Sequence, residues 1–381
     1  MTEIEGIIRF KDNPFKSYYA GATIFGEFDL NLDGPINIHG IKVIISGKAN
    51  VFLCDTGEED RSKFEQIECI RYIAKQDYFE NTTYIYGEPD GNHHLNKGYH
   101  SYEFTYNLPM ELPSSMEGHF GRIRYYVKVV IEFGIPNKSP EAFTSYFTVH
   151  RLTDLNYEPP MIRLPTINEV QKQFSCCPCW NKPVIILARI PQSGYVCGQK
   201  IPISINITNR SGKSIHKFII SLHLIIKYRA EFPSCKEKFE EFIVKNEQTK
   251  LFTNSIQESL NVDLKVPSVP PTCNEQICRI IRISYELRIQ VFIQGCIANM
   301  NISMPITIGN IPLRNLKQNS IYILNSTYEA PKTPEIFAKD INIHPPTYEE
   351  ACYIKSKKLP EYPVYNFNPP TPRLHSLLNH Y

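Results

Sequence analysis

The chain has 381 residues, 42% hydrophobic and 21% charged, with 41 basic against 39 acidic side chains and a net charge of +2. That length supports two domains and a tail, and near-neutrality excludes a global field for nucleic acid or an anionic membrane. Met1 to Phe10 carries Glu3 and Glu5 in place of an apolar leader, and no apolar run approaches the ~20 residues of a membrane span. The expectation is a cytoplasmic protein, with its eleven cysteines reduced and the sequons at Asn81 and Asn206 without glycan.

Strand-like alternation begins early. Ile24, Phe28, Leu30 and Leu32 fall on one side, and Glu27, Asp29 and Asn31 on the other. The Gly- and Asn-rich stretch Gly91 to Asn96, with His93 and His94, reads as a solvated loop. From Arg122 to Phe133 the inward set is Ile123, Tyr125, Val127, Val129, Ile131 and Phe133. Pro159, Pro160 and Pro165 then discourage regular pairing and mark a boundary. Cys176, Cys177 and Cys179 beside Trp180 lack the paired spacing and fourth ligand of a structural zinc site. They read first as buried thiols, then as lipid acceptors and last as metal ligands. In the second half Ile201, Ile203, Ile205 and Ile207 alternate with Ser204, Asn206 and Thr208; Ile283 to Ile293 repeats the pattern, and His223 reads as a surface residue of a strand.

The halves also resemble each other. Tyr18-x-x-Gly21 leads into the first alternating strand and Tyr195-x-x-Gly198 into its counterpart. Pro113 and Pro270 each lie in a loop before a long strand. Many half-buried antiparallel strands in two related halves predict an all-β chain of two β-sandwiches. The expected division is 1–157 for the first domain, 158–179 for a linker and the start of the second, 180–313 for the second, and 314–381 for a proline-rich, mostly disordered tail.

The tail holds Pro345-Pro346-Thr347-Tyr348, followed by Glu349 and Glu350. A Pro-Pro-x-Tyr segment is preset as polyproline II and docks with little loss of entropy into the aromatic groove of a WW domain. With four Pro-Pro pairs and 23 tyrosines in the chain, chance alone supplies the motif roughly one time in four. Its place in an exposed tail is what favours a real docking site at Pro345, Pro346 and Tyr348. Tyr362 to Phe367 is either a further linear motif or a strip folding back on the sandwiches, and Lys355, Lys357 and Lys358 are either solvated or ubiquitin acceptors. No phosphate loop, nucleophile elbow or His-Glu-x-x-His is present, so no catalytic residue, metal or cofactor is assigned.

Read in order, Asp12-Asn13-Pro14, Tyr19-Ala20-Gly21, Ile38-His39-Gly40-Ile41, Leu112-Pro113-Ser114-Ser115 and Ile123-Arg124-Tyr125 resemble the arrestin N-terminal domain. Gly194-Tyr195-Val196, Gly198-Gln199, Asn209-Arg210-Ser211 and Ile308-Gly309-Asn310-Ile311-Pro312-Leu313 resemble the arrestin C-terminal domain, and Pro345 to Ala351 looks like an alpha-arrestin tail. The resemblance implies two arrestin-like, immunoglobulin-like sandwiches in a non-catalytic adaptor. It would link membrane receptors or transporters to a WW-domain HECT-type ubiquitin ligase at the plasma membrane and endosomes, touching the membrane through cargo. Members of that family often carry two Pro-Pro-x-Tyr sites; the single one here implies weaker ligase binding. The alternative is a ligase-independent scaffold in trafficking or signalling.

Overall fold

A computed structural model describes residues 3–11, 13–55, 70–134, 139–174, 182–253, 255–294 and 299–314. The first lobe is built from β1 (Ile4–Phe10), β2 (Ser17–Tyr19), β3 (Thr23–Leu32), β4 (Ile36–Asp55), β5 (Ile70–Gly87), β6 (His93–Leu95), β7 (Gly98–Asn107), β8 (Met116–Glu117), β9 (Gly121–Phe133) and β10 (Glu141–His150). One sheet has the order β1-β3-β7, and it faces a sheet of order β2-β10-β9-β4-β5 with β6 on β4 and β8 on β9.

After a 3₁₀ turn at Pro160–Arg163, the second lobe runs through β11 (Thr166–Phe174), β12 (Lys182–Ile190), β13 (Gly194–Val196), β14 (Lys200–Asn209), β15 (Ile215–Ala230), β16 (Lys236–Thr253), β17 (Gln257–Lys265), β18 (Ile281–Ile293) and β19 (Met300–Gly309). Its sheets have the orders β11-β12-β14-β17 and β13-β19-β18-β15-β16. Each lobe is therefore an all-β sandwich whose core is filled by the alternating inward residues of two facing sheets.

The alternation reads through to burial. Ile123, Tyr125, Val127, Val129, Ile131 and Phe133 on β9 are all buried, as are Ile283, Tyr285, Leu287, Ile289, Val291 and Ile293 on β18. The repeated Tyr-x-x-Gly builds the same corner twice. Tyr18 lies on β2, which pairs in parallel with β10, and Tyr195 on β13, which pairs in parallel with β19. Both tyrosines are buried, and both glycines take a left-handed turn, Gly21 at φ 83° and Gly198 at φ 88°. A Cβ is disfavoured in that backbone region, which is why glycine stands there.

Several expectations need correction. His93 and His94 belong to a short strand on β4, whose exposed edge captures them, rather than to a solvated loop. Asp29 points away from the β3 core and yet is only 4% exposed. The Arg9 guanidinium, 2.8 Å from Oδ2, and the Tyr99 hydroxyl, donating to Oδ1, cover it from the two flanking strands. Cys54 at the end of β4 is disulfide-bonded, and its partner lies outside the described residues. Cys197, Cys235, Cys273 and Cys278 are free thiols.

Candidate functional site

The docking residues Pro345, Pro346 and Tyr348 lie outside the described residues, as do Cys176, Cys177 and Cys179, the lysines Lys355, Lys357 and Lys358, and Tyr362 to Phe367. The described lobes offer two constellations of their own, a groove where the lobes meet and a buried polar network on the second lobe.

The groove forms because the β8–β9 turn of the first lobe is pressed against β15 and β16 of the second. Gly118 and Gly121 make that approach possible: a Cβ on Gly118 would lie 2.0 Å from the Tyr228 hydroxyl, and one on Gly121 would lie 2.9 Å from both the Asn50 carbonyl and the Tyr228 ring. Next to them the His119 ring meets the Glu240 carboxylate, which also accepts a 2.7 Å hydrogen bond from Tyr228 Oη. Burial, with help from that carboxylate, drives the Tyr228 phenol far above its ordinary pKa, so it stays protonated and donates to Glu240. Lys238 completes the seam by lying 4.2 Å from the centre of the Phe120 ring.

A second seam joins β5 to the β15–β16 turn. The Ile73 amide donates to the Phe232 carbonyl at 2.8 Å, and the Phe232 amide returns a bond to the Ile73 carbonyl at 3.0 Å. The Arg279 amide donates to Gln76 Oε1 close by. Between the two seams lies an open groove of about 790 Å³. Phe52, Ile73 and Phe232 line it while remaining 53%, 46% and 67% exposed. Large apolar side chains gathered in a concave surface mark an interaction site more often than chance exposure. Two of the groove's cations are paired locally, Lys75 with Asp77 and Arg124 with Glu117, and the His119 ring contacts the Glu240 carboxylate. Arg122 has no acidic partner among the described residues.

The polar network sits on the outward face of β15. Ser221 Oγ is 2.8 Å from His223 Nε2, and His223 Nδ1 is 2.6 Å from the Glu241 carboxylate. Serine, imidazole and carboxylate in line resemble a hydrolytic relay, but Ser221 is 3% exposed and no carbonyl can reach it. Glu241 is also held by Arg288, which a second carboxylate, Glu286, orients. Burial works against the Glu241 charge, but the hydrogen bonds from Arg288 and His223 outweigh it and hold its pKa below the ordinary value. The network ties β15, β16 and β18 together. His223 is therefore a buried structural residue and not the surface one its alternation suggested, because the flanking strands bring long charged side chains over it.

The first lobe matches the arrestin (or S-antigen) N-terminal domain over residues 8–156, and the second the arrestin C-terminal domain over residues 180–313. The chain belongs to the arrestin-domain family. It is similar to arrestin domain-containing protein 17 of Caenorhabditis elegans, 26% identical over 90% of this chain and 78% of that one. It is also similar to human arrestin domain-containing protein 4, 24% identical over 93% of this chain and 83% of the relative, and to human arrestin domain-containing protein 5, 23% identical over 76% and 84%.

Arrestin-domain proteins are non-catalytic adaptors of trafficking and signalling, and this arrestin-domain chain is one of them. The lobe junction therefore matters for what it can hold rather than for what it can convert. No helix among the described residues is long and apolar enough to cross a membrane, and no group of three potential metal ligands occurs among them.

Proposed function

We propose that this arrestin-domain chain links membrane-protein cargo to a WW-domain HECT-type ubiquitin ligase in the cytoplasm, at the plasma membrane and on endosomes. On this reading residues 1–157 and 180–313 are the cargo-facing lobes, 158–179 joins them, and 314–381 is the ligase-recruiting tail. The observation that carries the reading is the sequence Pro345-Pro346-Thr347-Tyr348, which has the Pro-Pro-x-Tyr order that a WW domain takes as ligand. Tethering then raises the ligase's effective concentration at its substrate without any contact between the two. A WW-domain pulldown retains the wild-type chain and loses Tyr348→Ala; equal retention of both removes the ligase from the mechanism.

The second reading is a ligase-independent scaffold. It is favoured by the extent of the family match, which ends at residue 313 and so rests on the lobes alone. Cargo downregulation that survives truncation after Arg314 selects it.

A further inference from the structure

We propose that Tyr157, in the connection between the lobes, is a phosphorylation site for a tyrosine kinase, and that Arg163 and Arg314 clasp the phosphate once it is attached. The proposal is independent of the tail motif and concerns the joint between the two sandwiches.

The joint is organised by Asn156. Its carbonyl accepts from Arg163 Nη2 at 2.9 Å, and its Oδ1 accepts from the Arg314 amide at 3.0 Å. Its amide and Nδ2 donate to Asp154 Oδ1 at 2.8 and 2.7 Å, and Nδ2 also donates to the Pro312 carbonyl at 2.9 Å. Asn156 thereby ties the end of the first lobe to the 3₁₀ turn at Pro160–Arg163 and to the chain that leaves β19. Leu313 packs on Leu155, Ile162 and Val196 and closes the apolar side of the same joint.

Tyr157 is the residue this joint leaves out. Its amide donates to the Asp154 carbonyl at 3.1 Å, which holds its backbone beside Asn156. Its side chain is 90% exposed and makes no hydrogen bond or ring contact among the described residues. Tyr99, the other strongly exposed tyrosine among them, donates its hydroxyl to Asp29. The Tyr157 hydroxyl alone combines free access with a fixed place on a turn, which is what a modifying enzyme requires.

In the modification the γ-phosphoryl group of ATP passes to Tyr157 Oη. The bond from Pγ to the bridging oxygen breaks, an Oη–Pγ bond forms, ADP leaves, and the phenolic proton goes to the kinase's base. The product carries about two negative charges near neutral pH and offers new acceptor oxygens. Arg163 and Arg314 are both anchored on the preceding residue, and neither forms an ion pair among the described residues. Arg163 uses only Nη2, and its Nε is buried without a partner. Asp154 and Glu158 oppose the new charge, but Asp154 is already engaged by Asn156. Forked guanidinium–phosphate bonds outweigh repulsion that solvent screens. The clasped phosphate bridges the 3₁₀ turn to the exit from β19 and stiffens the joint.

The test treats the folded full chain with Mg–ATP and a broad-specificity tyrosine kinase that phosphorylates a peptide of residues 150–164, and maps the sites by mass spectrometry. Tyr157 should be modified; a folded chain left unmodified there overturns the site. In phosphorus NMR, the resonance missing from Tyr157→Phe should titrate about one pH unit below the same phosphate in the peptide, because neighbouring cations favour the dianion. Arg163→Gln and Arg314→Gln should each move it back toward the peptide. A titration equal to the peptide's, or one that neither variant moves, overturns the clasp. Hydrogen exchange at residues 154–164 should slow several-fold on phosphorylation. Exchange that is unchanged or quickens overturns the clasp as well, the latter by showing that Asp154 and Glu158 repel the phosphate.

Discussion

Tyr125 and Tyr285 make the same hydrogen bond in different lobes: Tyr125 Oη donates to the Pro113 carbonyl at 2.7 Å and Tyr285 Oη to the Pro270 carbonyl at 2.5 Å. Each tyrosine sits early in the long central strand of its sandwich, and each proline lies in the loop that precedes that strand. The bond fixes a loop that carries few backbone partners of its own to the buried face of the sheet. The two sandwiches share both the ring and its acceptor.

Replacing either tyrosine with phenylalanine removes the donor and strands a buried carbonyl. Tyr125→Phe and Tyr285→Phe should each cost about 1–2 kcal/mol. Chemical denaturation followed by tryptophan fluorescence and circular dichroism measures the change in midpoint. No change in either variant would show that water replaces the bond.

The lobe junction depends on the missing side chain at Gly121. A Cβ there meets the Asn50 carbonyl on one side and Tyr228 on the other, and the backbone carbonyl cannot swing away. Gly121→Val should destabilise the chain by about 1–3 kcal/mol through overpacking. It should also part the lobes, which small-angle scattering reads as a larger radius of gyration. A variant as compact and as stable as the wild type would mean that the seam yields without strain.

His150 gives the protein a stability that depends on pH. It is buried at the end of β10 with its Nε2 2.8 Å from Ser17 Oγ, and burial lowers its pKa to about 4. The unfolded chain protonates this ring near its ordinary value of ~6.5 while the folded chain does not. Stability is therefore complete above that value and falls as pH drops toward 4. By pH 5 the loss should be about 2 kcal/mol. Urea midpoints at pH 7.5 and pH 5 measure it, and His150→Gln should flatten the difference. An equal loss in wild type and variant would assign the pH dependence to other groups.

Thiol accessibility separates Cys235 from the other described free cysteines. Burial pushes the Cys197 thiol up to about 11 and the Cys273 thiol up to about 12, whereas Cys235 is exposed in the β15–β16 turn. Iodoacetamide at neutral pH should modify Cys235 in the folded chain and reach Cys197, Cys273 and Cys278 only after unfolding. Peptide mapping that finds Cys273 modified as fast as Cys235 would contradict the packing around β18.

The sequence by itself determined the strands, the two-fold repetition and the family, because each is written in local order. Period-2 alternation names the inward face of a strand whatever lies across from it, and a glycine required at positive φ, as at Gly21 and Gly198, is a constraint of a single residue. Tertiary structure alone decided which outward residues are covered and where the lobes leave a groove. Asp29 and His223 alternate as surface residues and are buried by side chains from neighbouring strands. His119 meets Glu240 across 121 residues of sequence, and Phe232 faces Ile73 from the other lobe. Contacts of that separation follow from how two finished sandwiches pack, and no local pattern encodes them.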